Sequence, residues 1–268
     1  MGLTNTIRNP NVAGSFYEKD SQILQKTIAS FFENIKIAPK NVNNKPIRAI
    51  ISPHAGYMYC GSVMASVYQL LPGKPYDRVI LIGPSHSVGF QTVAFDTADA
   101  WKTPLGITPL DIKTNEGFLF HEEFDILPRV FDKEHSLEVQ LPFLQTVLPS
   151  FSLIPLCTGQ DLPHKKIAEV ISPLLTDTTV VVVSSDFSHY HTQTEAHALD
   201  QLSIRTICSK KSPEIDAGVD ACGLEGIKIL NDLALLNTWN PVFVDYQTSG
   251  DITGDTSAVV GYAGFAYV

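Results

Sequence analysis

The chain has 268 residues, a formal net charge of −9 and a hydrophobic content of 44%. This is enough apolar material to fill a packed core, which excludes a disordered chain. The acidic balance disfavours nucleic acid as a partner, because a phosphate backbone repels a negative surface. No apolar run approaches the roughly 18 residues that a membrane helix needs, so no membrane partner is expected. We expect a single domain spanning residues 1–268.

The four cysteines, Cys60, Cys157, Cys208 and Cys222, lie far apart and form no C-x-x-C pair. This spacing excludes a zinc ribbon and gives no sign of an oxidising compartment. Residues 1–8 lack the apolar core of a secretory signal. We therefore expect a cytoplasmic protein with reduced thiols.

Predicted strands and helices alternate along the chain. The first element is a helix that Asp20 or Ser21 can cap, with apolar residues at helical spacing from Ile23 to Ile35. After a loop at 41–46, strands are predicted at 48–51, 78–82, 151–156, 179–183, 241–246 and 257–267, with a hairpin over 91–112. Helices are predicted at 62–71, 136–148, 163–175, 192–208 and 222–236, and Pro142 should kink or restart the second of these.

This alternation predicts an α/β fold with a central, mainly parallel sheet, because strands joined through helices form right-handed crossovers. The strands are continuous apolar runs, which indicates that helices cover both faces of the sheet. The hairpin at 91–112 and the last two strands should add antiparallel edges. A loop through Gly56 and Gly61 is expected between the strand at 48–51 and the next helix.

Side chains able to bind a metal follow three of the predicted strands. His54 follows the strand at 48–51, His86 follows the strand at 78–82, and Asp186 and His189 follow the strand at 179–183. Ligands of open α/β sheets bind beyond the carboxyl ends of the strands. A single histidine in a loop is usually a hydrogen-bonded structural residue, but three at equivalent positions predict a shared functional site.

Cys222 is a fourth candidate. Asp220 can cap the helix predicted at 222–236, which would place Cys222 in the first helical turn, where the helix dipole lowers a thiol pKa. The alternative is a small buried apolar residue. Glu225 lies near the same helix face, as a second carboxylate or a surface residue.

His135 and Glu138 are three residues apart and would share a face if the segment is helical. They would then form a base with its orienting partner, or else a solvated helix start. The remaining histidines are interpreted as surface residues: His121, His164, His191 and His197.

Eight ordered motifs across nearly the whole chain resemble the Memo family, whose bacterial and archaeal members are called AmmeMemoRadiSam system protein B. The matching segments are Pro10 to Tyr17, Ser52 to Tyr57, Gly83 to His86, Trp101 to Gly106, Glu134 to Glu138, Ser184 to His189, Ala221 to Gly223, and Ser249 to Asp251 with Val260 to Ala263.

The resemblance implies a fold similar to the class III extradiol ring-cleavage dioxygenases, which hold non-haem iron with two histidines and a glutamate. In the Memo family the corresponding cleft carries two histidines and a cysteine, here His54, His86 and Cys222, and iron or copper is the metal usually proposed. The other polar residues of the family cleft correspond to His135, Asp186 and His189. Because a thiolate replaces a carboxylate, ring cleavage does not follow from the fold.

Two functions remain open at this level. The first is a metal-dependent oxidoreductase with Fe(II) or Cu(I) at His54, His86 and Cys222, in which His135 or His189 moves protons and Asp186 orients a histidine. Its substrate would be an unknown small molecule. The second is a non-catalytic module that carries a metal or docks a partner, either a peptide or the radical-SAM protein that the bacterial family name implies.

Overall fold

The computed structural model describes residues 6–35, 42 and 45–268, with residues 212, 213 and 216 described by their backbone alone. The predicted loop at 41–46 therefore lies largely outside the described residues. The strands are β1 Ile7–Arg8, β2 Ala49–Ser52, β3 Arg78–Pro84, β4 Val93–Phe95, β5 Ala100–Thr103, β6 Gly106–Pro109, β7 Phe124–Ile126, β8 Ser152–Thr158, β9 Thr179–Ser184, β10 His189–His191, β11 Pro241–Thr248 and β12 Val259–Tyr267. The helices are α1 Ser21–Glu33, α2 Tyr57–Tyr68, α3 Ile112–Gly117, α4 Leu141–Val147, α5 His164–Ile171, α6 Gln193–Ser209, α7 Ser212–Gly218, α8 Leu224–Leu236 and α9 Ser249–Thr253.

The main sheet has four parallel strands at its centre, in the order β2-β9-β3-β8. On one side β4 pairs antiparallel with β8, and β7 pairs with β4 at the rim. On the other side β12 pairs antiparallel with β2, β10 and β11. The prediction of an α/β fold with a parallel centre and antiparallel flanks is confirmed.

Alternate residues of the central strands enter two separate hydrophobic cores. Val180 and Val182 of β9 pack in the core that includes α1, α2 and α4, whereas Val181 and Val183 pack in the core that includes α5, α6 and α8. All four valines are fully buried. The sheet is covered on both faces, and this explains why β9 is a continuous apolar run.

Two predicted helix starts are confirmed. The Asp20 carboxylate accepts hydrogen bonds from the backbone N–H groups of Gln22 and Ile23 and so caps α1. Pro142 lies in the first turn of α4, where proline's missing N–H costs nothing. Ile23, predicted on the apolar face of α1, is instead 55% exposed.

The predicted loop through Gly61 is wrong, because α2 begins at Tyr57 rather than at residue 62. Gly61 lies inside the helix, and a Cβ atom added there would overlap the ring of Phe31 in α1. Glycine at this position therefore allows α1 and α2 to pack closely, and it does not form a turn.

The prediction that the segment 91–112 adds an antiparallel edge to the main sheet is confirmed for β4 alone. β5 and β6 do form a hairpin, but they pair with β1 in a separate three-stranded sheet, and only β4 joins the main sheet. The buried Asp96 carboxylate accepts from Arg8 Nε of β1 (2.5 Å) and from Trp101 Nε1 of β5 (2.7 Å). This charge-assisted contact draws the hairpin toward the N-terminal strand.

The four cysteines, predicted to be reduced, are free thiols, and Cys60 and Cys157 are buried. Within the described ranges, no helix combines the length and the apolar character required to cross a bilayer.

We predict that Gly261→Ala lowers the free energy of unfolding by roughly 1–3 kcal/mol, the usual cost of overpacking a core. A Cβ atom at Gly261 in β12 would overlap the Asp200 carboxylate of α6. Asp200 is fully buried and accepts hydrogen bonds from Ser188 N (2.9 Å) and the Tyr246 hydroxyl (2.7 Å), so it cannot move freely. Urea denaturation measures the effect. Gly89→Ala is the control, since an added Cβ atom there meets nothing within 4 Å. Equal stability of the two variants would contradict the packing argument.

Candidate metal centre

The strand order brings the predicted site residues together at one edge of the sheet. β9 lies between β2 and β3, and all three strands run in the same direction. His54 follows β2 and His86 follows β3, and the centroids of the two imidazole rings are 5.1 Å apart. Asp186 follows β9, between the two histidine loops.

Cys222 completes a group of three potential ligands. The Nε2 atom of His54 lies 3.1 Å from the Sγ atom of Cys222. One ligand atom from each of His54, His86 and Cys222 lies within 4.8 Å of the other two. The Cys222 loop is held against the end of β9, because Cys222 N donates to the Asp186 carbonyl (3.2 Å) and Asp186 N donates to Cys222 Sγ (3.3 Å).

The expectation that Cys222 lies in the first turn of a helix is wrong. Helix α8 begins at Leu224 with Gly223 as its N-cap. Gly223 packs so tightly against β9 that a Cβ atom there would lie 2.6 Å from the Ser184 carbonyl oxygen. Burial raises the pKa of the Cys222 thiol, and the nearby Asp186 carboxylate raises this pKa further, so a thiolate needs a bound cation.

Glu134 is a buried carboxylate that holds the His86 loop. Its Oε1 atom lies 2.9 Å from His86 Nδ1, and its Oε2 atom accepts from His86 N at 2.6 Å. Burial alone would raise the pKa of Glu134, but these bonds and one from Ser136 N outweigh it and lower the pKa to about 2. For His86 burial acts in the opposite direction and lowers the pKa. The hydrogen bond to Glu134 and the charge of this carboxylate outweigh burial, so the net shift of the His86 pKa is upward.

His135 lies beside the two strand-end histidines, and it neither pairs with Glu138 nor begins a solvated helix, the two alternatives that the spacing left open. The segment at His135 is not helical, and the Glu138 carboxylate instead accepts from Asn11 N (2.5 Å) and the Tyr17 hydroxyl (2.6 Å). The His135 ring stacks on His86 with centroids 4.5 Å apart. Burial lowers the pKa of His135 to about 4, despite the opposing charge of Glu134.

Asp186 and His189 flank the cluster. The Asp186 carboxylate accepts a hydrogen bond from the backbone N of His54 at 2.7 Å, so its contact with this histidine is through the backbone of the loop. Burial raises the pKa of Asp186 to about 7. His189 lies in β10, where burial lowers its pKa, and its charge is close enough to lower the pKa of His54 as well.

Glu225 is not part of this group. Its carboxylate accepts from Leu162 N (3.0 Å) and lies 2.7 Å from His164 Nε2. His164, interpreted from the sequence as a surface residue, is therefore the partner of a half-buried carboxylate.

A pocket of about 110 Å³ lies beside Cys222, and Ser85 and Glu225 also line it.

A family model described as "Memo-like protein" matches residues 8–266. The chain belongs to the Memo family. It is 35% identical to a MEMO1 family protein of Methanosarcina acetivorans over 96% of this chain and 97% of that protein. It is 37% identical to one from Sulfolobus acidocaldarius, with 96% and 97% covered, and 31% identical to one from Aquifex aeolicus, with 98% and 99% covered.

The same fold occurs in a solved structure from Escherichia coli K12, the uncharacterized protein JW3007. The two structures superpose with a TM-score of 0.50 over 81% of this chain and 99% of the bacterial chain, at 11% identity. At this identity the similarity establishes the fold alone.

Sequence reasoning gave no role to Glu134, which adjoins His135 in one of the Memo motifs. Its position directly before His135 was the only hint in the sequence. Its role depends on the fold, which brings its loop against His86. Ser184 also contacts a site histidine, with its Oγ atom 2.9 Å from His54 Nδ1, although its sequence context indicates only a strand end.

We predict that Glu134→Gln destabilises the protein by about 3 kcal/mol at pH 5.5, and that this difference disappears as the pH falls from about 4.5 to about 2. A carboxylate with a lowered folded-state pKa stabilises the fold above its unfolded pKa, and this stabilisation is lost as the group is protonated. Denaturant unfolding of both proteins across this pH range measures the difference. A constant difference at all pH values would contradict an ionised Glu134.

Proposed function

We propose that this Memo-family protein is a metal-dependent oxidoreductase that binds Fe(II) or Cu(I) at His54, His86 and Cys222 and acts on a small substrate. The observation that carries the proposal is the convergence of two imidazoles and one thiol from three separate loops within 4.8 Å. Each ligand lies on a loop that a buried hydrogen-bond partner holds in place.

The donor set supports a soft or borderline transition metal. Thiolate and imidazole ligands suit copper, iron and zinc, whereas magnesium and calcium prefer hard oxygen ligands. Three protein ligands leave at least one coordination position for a reactant. The Glu134 carboxylate beside His86 Nδ1 is the type of outer partner that fixes a ligating imidazole and raises its basicity.

When bound, the metal would supply one-electron redox chemistry and Lewis acidity. The protein's own residues would supply proton handling and substrate positioning. His135 and His189 are neutral at physiological pH because burial lowers the pKa of each, so their ring nitrogens can accept a proton from a substrate. Phe16 packs against His135 with ring centroids 4.5 Å apart and so covers one side of this imidazole with an apolar ring.

The size of the cavity beside one proposed ligand, Cys222, favours a small substrate. The pocket next to Cys222 has a volume of about 110 Å³, well below the roughly 300 Å³ of a typical drug-sized ligand site. The side chain of His86 is 35% exposed, so solvent and small molecules reach the centre.

We predict that Cys222→Ser weakens Cu(I) binding by roughly a hundredfold or more. Loss of a residue that only supports a ligand costs about 10–100-fold in affinity, and loss of the ligand itself should cost at least as much. His135→Ala should change affinity far less, because His135 would move protons and not bind the metal. Competition titrations under anaerobic, reducing conditions measure the affinities. Cys208→Ser is the matched control, since Cys208 is an exposed thiol outside the site. If Cys222→Ser and Cys208→Ser both bind copper as tightly as the native protein, Cys222 is not a ligand.

We predict that metal affinity falls as the pH is lowered. Burial keeps Cys222 in its thiol form at neutral pH, so coordination as a thiolate releases a proton. Affinity should drop about tenfold per pH unit, and more steeply once His86 also takes up a proton. Titrations between pH 6 and pH 8.5 provide the slope. A pH-independent affinity would contradict thiolate coordination.

Oxygen consumption by protein loaded with Fe(II) or Cu(I) tests the redox proposal, using a panel of small reducing substrates. We expect substrate-dependent consumption that is lost in His54→Ala and retained in Cys208→Ser. Tight metal binding without turnover would favour the alternative function, a module that carries a metal or docks a partner.

A further inference from the structure

His54 is the most enclosed of the three proposed ligands. It is 1% exposed, and each of its two ring nitrogens faces a side chain of the protein. Nδ1 lies 2.9 Å from the hydroxyl oxygen of Ser184, and Nε2 lies 3.1 Å from Cys222 Sγ. A neutral imidazole carries one proton, so its position decides whether Nε2 presents a lone pair or an N–H toward the thiol.

The hydrogen bonds around Ser184 determine where that proton lies. A serine hydroxyl has one hydrogen, and that hydrogen is donated to the Ser136 carbonyl at 2.6 Å. The side-chain amide of Gln140 donates to the same Ser184 oxygen at 2.8 Å. Ser184 has no second hydrogen to offer His54, so its remaining lone pair accepts, and His54 must carry its proton on Nδ1.

The orientation of the Gln140 amide is fixed as well. Its nitrogen also donates to the Pro53 carbonyl (2.8 Å), and its oxygen accepts from the Tyr68 hydroxyl (2.8 Å). Rotating the amide would place its oxygen against the Pro53 carbonyl oxygen and lose that bond, because a carbonyl can only accept. Tyr68, Gln140 and Ser184 are each 0% exposed, so bulk water cannot substitute for any of these partners.

We infer that Ser184, held by Gln140 and the Ser136 carbonyl, is a positioning residue that fixes His54 in the Nδ1–H tautomer with its Nε2 lone pair directed at Cys222. The site is thus prepared for a cation in the metal-free protein. The two histidines are held differently, since His86 is oriented by the anionic Glu134 and His54 by a neutral chain. The link to metal affinity rests on the proposed function, but the tautomer itself does not.

The test is long-range proton–nitrogen NMR of metal-free protein labelled with ¹⁵N-histidine, with the His54 signals assigned by their loss in His54→Asn. We expect native His54 to show a protonated Nδ1 and an unprotonated Nε2. Ser184→Ala should shift the ring toward the Nε2–H form, because Nδ1–H loses its acceptor. Ser184→Thr keeps the hydroxyl and should restore the native tautomer.

Ser66→Ala is the matched control, since Ser66 is a buried serine whose hydroxyl bonds Asp245 away from the site. This variant should leave the His54 signals unchanged. An Nε2–H tautomer in the native protein, or an unchanged tautomer in folded Ser184→Ala, would overturn the inference. So would a folded Ser184→Thr variant that carries the Nε2–H form.

A metal titration of the same proteins separates this inference from the proposed function. Ser184→Ala should bind Cu(I) roughly tenfold or more weakly than Ser66→Ala, the usual loss for an outer partner of a ligating histidine. A native protein with the Nδ1–H tautomer but no affinity for copper or iron would overturn the proposed function and leave the tautomer assignment intact. Equal copper affinity of Ser184→Ala and Ser66→Ala would overturn the positioning role.

Discussion

The parallel pairing of β2, β9 and β3 is the constraint on which the rest of the structure depends. Because these strands are adjacent and run in one direction, their carboxyl ends meet at one edge of the sheet. His54 and His86 are separated by a helix and a strand in sequence, yet their rings come within 5.1 Å. The middle strand, β9, ends at Ser184 and is followed by Asp186, and each of these residues bonds to His54 or its loop.

Burial then determines the charge state of the cluster. Three imidazoles and a thiol are crowded together, and in this environment burial and mutual repulsion keep His54 and His135 neutral. Glu134 is the buried carboxylate that stays ionised, because it accepts hydrogen bonds from His86 and its neighbours. A neutral imidazole with a free lone pair is the form that binds a metal, so desolvation prepares His54, whereas it disfavours the thiolate form of Cys222.

The central sheet and its two strand-end histidines were predictable because their signals are local. Apolar runs mark β2, β3 and β9, and the topology rule places the residues after them at one edge. The start of α8 was not predictable in the same way. A capping residue is present at Asp220, but the tight contact of Gly223 with the end of β9 delays the helix to Leu224.

Other features depended on contacts between distant segments. Helical spacing offered Glu138 as one possible partner of His135, yet Glu138 bonds the N-terminal segment at Asn11 and Tyr17, more than 100 residues away. Glu134 and Ser184 carry no pattern that reveals their partners. Resemblance to the Memo family pointed to His54, His86 and Cys222, which the structure brings together, whereas the hydrogen-bond partners around them required the folded structure.

X-ray absorption at the metal edge tests the central proposal most directly, because it reports the atoms bound to the metal. Protein purified without oxygen and loaded with one equivalent of Fe(II) or Cu(I) should show one sulfur and two imidazole nitrogen scatterers in the first coordination shell. The sulfur scatterer should be lost in Cys222→Ser and retained in Cys208→Ser. A first shell of oxygen and nitrogen alone in the native protein would contradict a His54–His86–Cys222 centre.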